Sequence, residues 1–289
     1  MKRCLFVLPA LLSFAAPLCS EAQSVGTSPS FKGPVGLQIY SLREQIKQQG
    51  APALDFAQAQ GFVEVEIGLE SHYGLTAEAM KAALDARGLK PIAAHAGLDF
   101  ILNQTEKAVA EAQRFGVQYV GVAWAPHKNP LDEQQVLKIA DGFNRAGKLL
   151  KEHGIQFFYH NHGFEFQPYK DGTLFDLLAQ KTDPDLVKFE MDVLWVIHPG
   201  QDPVTLLKKY PNRWALMHLK DLRKGVKGDF SGGTSLNNDV TLGSGQADYA
   251  AILKTAQEIG VKHFFIEDES PVVLQQIPNS LKFLSSVAF

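Results

Sequence analysis

The stretch Phe-Phe-Tyr-His-Asn-His-Gly-Phe-Glu-Phe, residues 157–166, decides how the chain is read. Its three leading aromatic residues have the bulk and β propensity of a buried strand. They run straight into His160, Asn161 and His162, with Glu165 close behind. An apolar run that turns abruptly into ligand-type side chains marks the end of a strand and the start of a site. His160 and His162 are two apart, so on a strand they share a face. A single histidine here would be read as a hydrogen-bonded core residue; the cluster is read as a site.

Working outward, the same unit recurs on both sides: a short apolar β-rich run, a polar turn, then an amphipathic helical pattern. Strands are expected at 35–40, 63–67, 89–95, 117–124, 155–159, 187–193, 214–219 and 263–266. Helical patterns fall at 42–60, 76–87, 105–115, 132–153, 174–180, 203–210, 249–258 and 273–287. Several begin at a capping residue such as Thr76 and close at a glycine such as Gly88, Gly116 or Gly154. Eight strand–helix units from residue 35 onward fit a single (β/α)8 TIM barrel, an α/β fold with a parallel sheet. An open doubly wound sheet is disfavoured, because no glycine-rich phosphate fingerprint follows the first strand.

The first residues belong to another function. Lys2 and Arg3 precede an apolar run at 5–18, followed by Ser20-Glu21-Ala22. That is the pattern of a secretory signal peptide cleaved after Ala22, too short for a spanning helix. Residues 23–34 then form a flexible Ser/Gly/Pro leader, and 35–289 the catalytic barrel. The expected destination is export to the periplasm, with lipid anchoring at Cys19 the lesser alternative. Cleavage removes both cysteines, Cys4 and Cys19, so the mature domain relies on its core. No later stretch can span a membrane. The net charge of −3, with no Lys/Arg run, argues against a nucleic-acid backbone as partner. The sequence leaves room for a homo-oligomer.

In such a barrel the chemistry sits at the C-terminal strand ends. Those ends carry Gln38 and Tyr40; Glu66; His95; Trp124; His160, Asn161 and His162 with Glu165; Glu190 and Asp192; His218, Lys220 and Asp221; and Glu267, Asp268 and Glu269. A carboxylate from strand six (Glu190 or Asp192), a histidine from strand seven (His218) and a carboxylate from strand eight (Glu267, Asp268 or Glu269) are expected to converge across the mouth. With one ligand from strand five they suit a divalent ion: Mn, Mg, Co or Zn. Gln38, Tyr40, Glu66, His95, Trp124, His162 and Trp195 are expected to contact substrate, the aromatics suiting a sugar ring. Taken alone, Asp192 could merely cap a turn, Glu267 could belong to a solvated acidic loop, and His95 could be a core histidine.

Several segments together resemble the xylose isomerase-like barrel superfamily, in its sugar phosphate isomerase/epimerase branch. They are Gly36-Leu37-Gln38-Ile39-Tyr40-Ser41-Leu42-Arg43, Tyr159-His160-Asn161-His162, Met191-Asp192, His218-Leu219-Lys220-Asp221, Gly243-Ser244-Gly245-Gln246-Ala247-Asp248-Tyr249 and Ile266-Glu267. The resemblance implies one divalent ion held by Glu, Asp, His and Glu from strands five to eight, and a glutamate pair for acid/base work. Asp192, His218 and Glu267 match the last three ligands. At strand five the chain departs from the pattern: His160 is nearest in register, and Glu165 follows five residues later. Either completes the set.

The leading expectation is therefore a metal-dependent isomerase or epimerase of an unphosphorylated sugar or keto-sugar. Glu267 acts as base, His160 or Glu165 as its partner, and Lys220 steadies the developing oxyanion. A lyase or dehydratase acting on a keto-sugar (3-keto-glycoside) is the alternative, because a histidine at strand five disrupts the two-carboxylate mechanism. A periplasmic sugar-binding module without catalysis is the alternative of another class. An endonuclease is disfavoured by the acidity and the expected export.

Overall fold

The computed structural model describes residues 25–289. The signal-peptide expectation falls outside them. Eight parallel strands close into a barrel. They are β1 Val35–Gln38, β2 Glu64–Gly68, β3 Lys90–His95, β4 Tyr119–Val122, β5 Gln156–His160, β6 Val187–Asp192, β7 Trp214–Leu219 and β8 His263–Ile266. β1 pairs with β8 through Gly36 opposite Phe265, which closes the ring. Among the described residues no helix is long and apolar enough to cross a membrane.

The helices form where the sequence supplies their ends. Thr76 accepts a hydrogen bond from the Ala79 amide at the start of Ala77–Asp85, and Asp132 does the same for Gln135 ahead of Glu133–Lys151. Thr173 and Asp176 make a reciprocal capping box on Leu174–Lys181. The pattern expected as one helix at 42–60 is instead broken into four short pieces. Gly50 takes φ +70° and Pro52 follows it, so no continuous ladder can form.

The leader also differs from expectation, since residues 25–34 pack on the barrel. Phe31 is fully buried, edge-on to Phe264 with centroids 5.0 Å apart. The Ser28 hydroxyl donates to the Val287 carbonyl at 2.6 Å. A large aromatic side chain gains roughly 2–3 kcal/mol from such burial, and this outweighs the tethering tendency of the surrounding Ser, Gly and Pro.

Inside the barrel, strand periodicity sorts side chains into layers. Phe158, Leu216 and Phe265 fill a lower layer with Ala93. The rings fit because small residues face them. A Cβ on Gly121 would lie 2.6 Å from Phe158, and one on Gly36 would lie 2.7 Å from Phe265. Two residues further along the same strands come His95, His160, His218 and Glu267, so a plug of aromatic rings forms the floor of the site.

Candidate metal centre and active site

Two groups of ligand-type side chains are stacked above that floor. The upper group is His160, Asp192, His218 and Glu267, all buried, each offering an atom within 4.8 Å of the others. His160 Nε2 lies 3.4 Å from Asp192 Oδ2, and His218 Nδ1 lies 3.3 Å from Glu267 Oε2. The lower group is Glu66, His95, Glu190 and His218. His218 belongs to both, because its Nε2 turns down to Glu66 Oε2 at 2.5 Å while its Nδ1 turns up.

Asp192 serves two purposes with its two oxygens. Oδ1 accepts the Trp195 amide at 2.9 Å and so caps the helix Val193–Ile197. Oδ2 has no hydrogen-bond partner, and neither do His218 Nδ1 or either nitrogen of His160. Buried polar atoms are almost always paired. One such atom each from His160 on β5, Asp192 on β6 and His218 on β7, joined by the Glu267 carboxylate after β8, make a donor set that fits a divalent cation. The Nε2 contact to Glu66 is the carboxylate partner that metal-binding histidines typically have behind them.

The charges around these groups are strongly perturbed. Burial works against the cationic form of His218, yet Glu190, Glu66 and Glu267 hold its pKa well above the usual imidazole range. For His95, burial is likewise outweighed by the carboxylates of Glu66 and Glu190, and its pKa is raised. Glu190 is raised by burial and by the neighbouring Glu66 charge. Burial raises Glu267, but Lys220 and His218 overcome it and pull it well below the carboxylate range. Lys220 is 2% exposed and donates to Glu267 at 2.9 Å and to Glu269 at 2.5 Å; those carboxylates keep it cationic despite burial. His162 is pushed well below the usual range, first by burial and then by His160 and Lys220, so it is neutral.

A cavity of about 450 Å³ opens over the upper group. Gln38, Tyr40, His95, Trp124, His162 and Trp195 line it, together with His160, Lys220 and Glu267. Trp124, 46% exposed, is held edge-on by His162 at 4.7 Å and packs against Phe164 at 4.8 Å. Glu66 does not reach the cavity. It is fully buried beneath, accepting from Gln38 Nε2 at 2.8 Å and from His218. Its expected role as a substrate contact becomes one of support.

Glu165 is likewise turned elsewhere. The short helix Phe164–Phe166 swings its carboxylate under the turn, where Oε1 accepts from the Tyr159 hydroxyl and from the His162 amide at 2.9 Å. It belongs to neither ligand group. Of the two strand-five candidates for ligand and acid/base partner, the fold brings His160 to the centre and leaves Glu165 outside it.

The family description "Xylose isomerase-like TIM barrel" matches residues 54–287. The chain belongs to this family. An inosose dehydratase of Clostridium perfringens is 27% identical over 252 residues, covering 77% of this chain and 83% of that protein. The crystal structure of a sugar phosphate isomerase/epimerase from Parabacteroides distasonis is 25% identical and superposes with a TM-score of 0.74, over 95% of this chain and 100% of that one. The IOLI protein, solved with a binding zinc atom, shares the fold at 14% identity and a TM-score of 0.63, over 87% of this chain and 94% of its own. This xylose isomerase-like barrel is thus an enzyme fold whose relatives include both dehydratases and isomerase/epimerases.

The sequence reading placed Glu190 at a strand end without giving it a role, and it missed one segment altogether. Glu190 stands at a strand end two residues before Asp192, and period two places it on the inner face, but nothing local marks it as the partner of His95 and His218. The segment Gly232–Leu236, which walls the cavity together with Asp239, lies in a polar stretch with no periodic signal. The pairing of Asp221–Leu222 with Asp239–Val240, distant in sequence, helps to bring it over the mouth.

Proposed function

We propose that this protein is a divalent-metal-dependent lyase that removes water from a polyhydroxylated ketone, a keto-sugar or a cyclic relative of one. The observation that carries this reading is the strand-five end. The epimerase pattern that the sequence resembles uses two carboxylates for proton exchange, and here the second position is His160, drawn into the ligand group, with Glu165 withdrawn. The 27% identity to an inosose dehydratase supports the same choice. The isomerase or epimerase reading is second, supported by the match in overall shape to the Parabacteroides protein.

His160, Asp192, His218 and Glu267 would hold the ion. When bound, it supplies Lewis-acid stabilisation of negative charge on the substrate carbonyl oxygen. The protein's own groups supply the rest. Glu267, held ionised by Lys220, takes the proton from the carbon beside the carbonyl. The Lys220 ammonium, buried and fixed by two carboxylates, sits where charge on the substrate oxygen needs a partner. Trp124 and Trp195 line the cavity and give it apolar surface against which a ring can pack. Export to the periplasm, implied by the N-terminal pattern, points to an unphosphorylated substrate.

The test is metal-dependent product formation. Incubated with inosose and with 3-keto-sugars, the protein is expected to form an unsaturated ketone absorbing in the ultraviolet. A chelator should abolish the activity, and one divalent ion per chain should restore it. Activity indifferent to chelation would sink the reading, and a pure protein with neither ion nor activity would favour a sugar-binding module.

A further inference from the structure

Elimination of water needs a proton for the departing hydroxyl, and the groups expected for that task are engaged elsewhere: His160 in the ligand group, Glu165 against Tyr159. We propose that His95 is the general acid, delivering its proton from Nδ1 to the leaving oxygen. This rests on the dehydratase reading above.

The case is geometric. His95 ends β3 and lines the same cavity as Glu267 and Lys220. Its Nε2 is clamped from below by two fully buried carboxylates, Glu190 Oε2 at 3.0 Å and Glu66 Oε1 at 3.2 Å. Its ring leans on Phe158, with centroids 5.4 Å apart, which fixes the ring plane. Among the described residues no hydrogen bond engages Nδ1, and the side chain is 17% exposed. One ring nitrogen anchored on carboxylates and the other open to a cavity is the arrangement that lets an imidazole exchange protons with a bound molecule. The cavity's other histidines lack it. His162 has an unpartnered Nδ1 and packs among aromatic rings, and His160 is buried with its Nε2 against Asp192 of the ligand group and no carboxylate hydrogen-bonded to its other nitrogen.

The balance of the step is simple. Glu267 takes the proton from the carbon beside the carbonyl, and that C–H pair becomes the new C=C bond. The C–O bond to the β-hydroxyl breaks with its electron pair on oxygen, which takes the His95 proton and leaves as water. Glu267 ends protonated and His95 neutral, and solvent resets both. No redox partner is needed.

Full-length, metal-loaded His95→Asn and His95→Gln are compared with wild type in D₂O, following exchange at the carbon beside the carbonyl by NMR and product formation separately. Exchange is expected to stay within about threefold of wild type while water loss falls by about 10²–10⁴-fold. A β-fluoro ketone analogue, whose leaving group needs no proton, should be eliminated at near wild-type rate. Water loss within tenfold of wild type in a folded variant overturns the proposal. So does a parallel fall in exchange and elimination at full metal content, or failure of the fluoro analogue to rescue; these assign His95 to binding or support. If neither variant folds, His95 is structural and the proposal fails. Wild-type protein that exchanges but never eliminates removes the dehydratase reading itself, a result distinct from a variant that behaves like wild type.

Discussion

At the scale of single residues, the fold gives the carboxylates Glu267 and Glu165 opposite surroundings. Glu267 meets Lys220 and His218 and is held ionised, suited to accept a proton. Glu267→Gln, assayed at saturating divalent ion, is expected to lower turnover by about 10²–10⁴-fold and to leave substrate affinity within tenfold. Unchanged turnover would remove Glu267 from the mechanism. Glu165 meets mainly apolar surroundings, and burial lifts its pKa from 4.5 to about 7. The folded chain therefore binds this proton more tightly than the unfolded chain. Its stabilising contribution is fully present below about pH 4.5 and is lost as pH rises through about 7. Glutamine mimics the protonated form and can still accept from Tyr159 and His162. Glu165→Gln should match wild type in urea denaturation at pH 4.5 and exceed it by about 3 kcal/mol at pH 8. Equal stability at both pH values would show that Glu165 titrates normally.

At the scale of elements, the loop after β7 shows how a strand end organises what covers the site. Asp221 Oδ2 accepts the amides of Gly243 and Gly245, each at 2.9 Å, and Oδ1 accepts that of Ala247 at 3.0 Å. Gly245 is required there, since a Cβ would lie 2.2 Å from Asp221 Oδ1. This cradle anchors the polar stretch that carries Asp239 and the cavity wall, and Asp239 in turn accepts the Glu269 amide at 2.8 Å. Asp221→Ala strips three amides of their acceptor and should cost about 3 kcal/mol or more in urea denaturation. A loss under 1 kcal/mol would mean that solvent replaces the cradle freely. The strand ends themselves were legible in the sequence because apolar runs stop abruptly at functional groups. What stayed hidden was where a side chain goes once the strand is over. Glu165 lies five residues past His160, and only the one-turn helix Phe164–Phe166 turns it away from the mouth. Glu66 sits at a strand end like the others, yet its neighbours Gln38 and His218 enclose it below the cavity. Such outcomes depend on packing between strands distant in sequence, which periodicity does not report.

At the scale of the whole molecule, the barrel buries acidic and basic groups at its centre without a disulfide among the described residues to brace it. Four carboxylates and three histidines meet within the two stacked groups. An ion that binds the native state and not the unfolded chain stabilises by mass action, about 2.7 kcal/mol at a hundredfold excess over its dissociation constant. Stripping the protein with a chelator should therefore lower Tm by several degrees, and one divalent ion per chain should restore it. A Tm unmoved by chelation and by added Mn, Co or Zn would speak against the metal centre.

The most direct test of the central claim is to follow metal-loaded protein with inosose in D₂O by proton NMR. The account predicts an unsaturated product that accumulates with loss of water. Deuterium entering beside the carbonyl of a ketone that keeps all its hydroxyls, with no eliminated product, would contradict it and return the protein to the isomerases and epimerases.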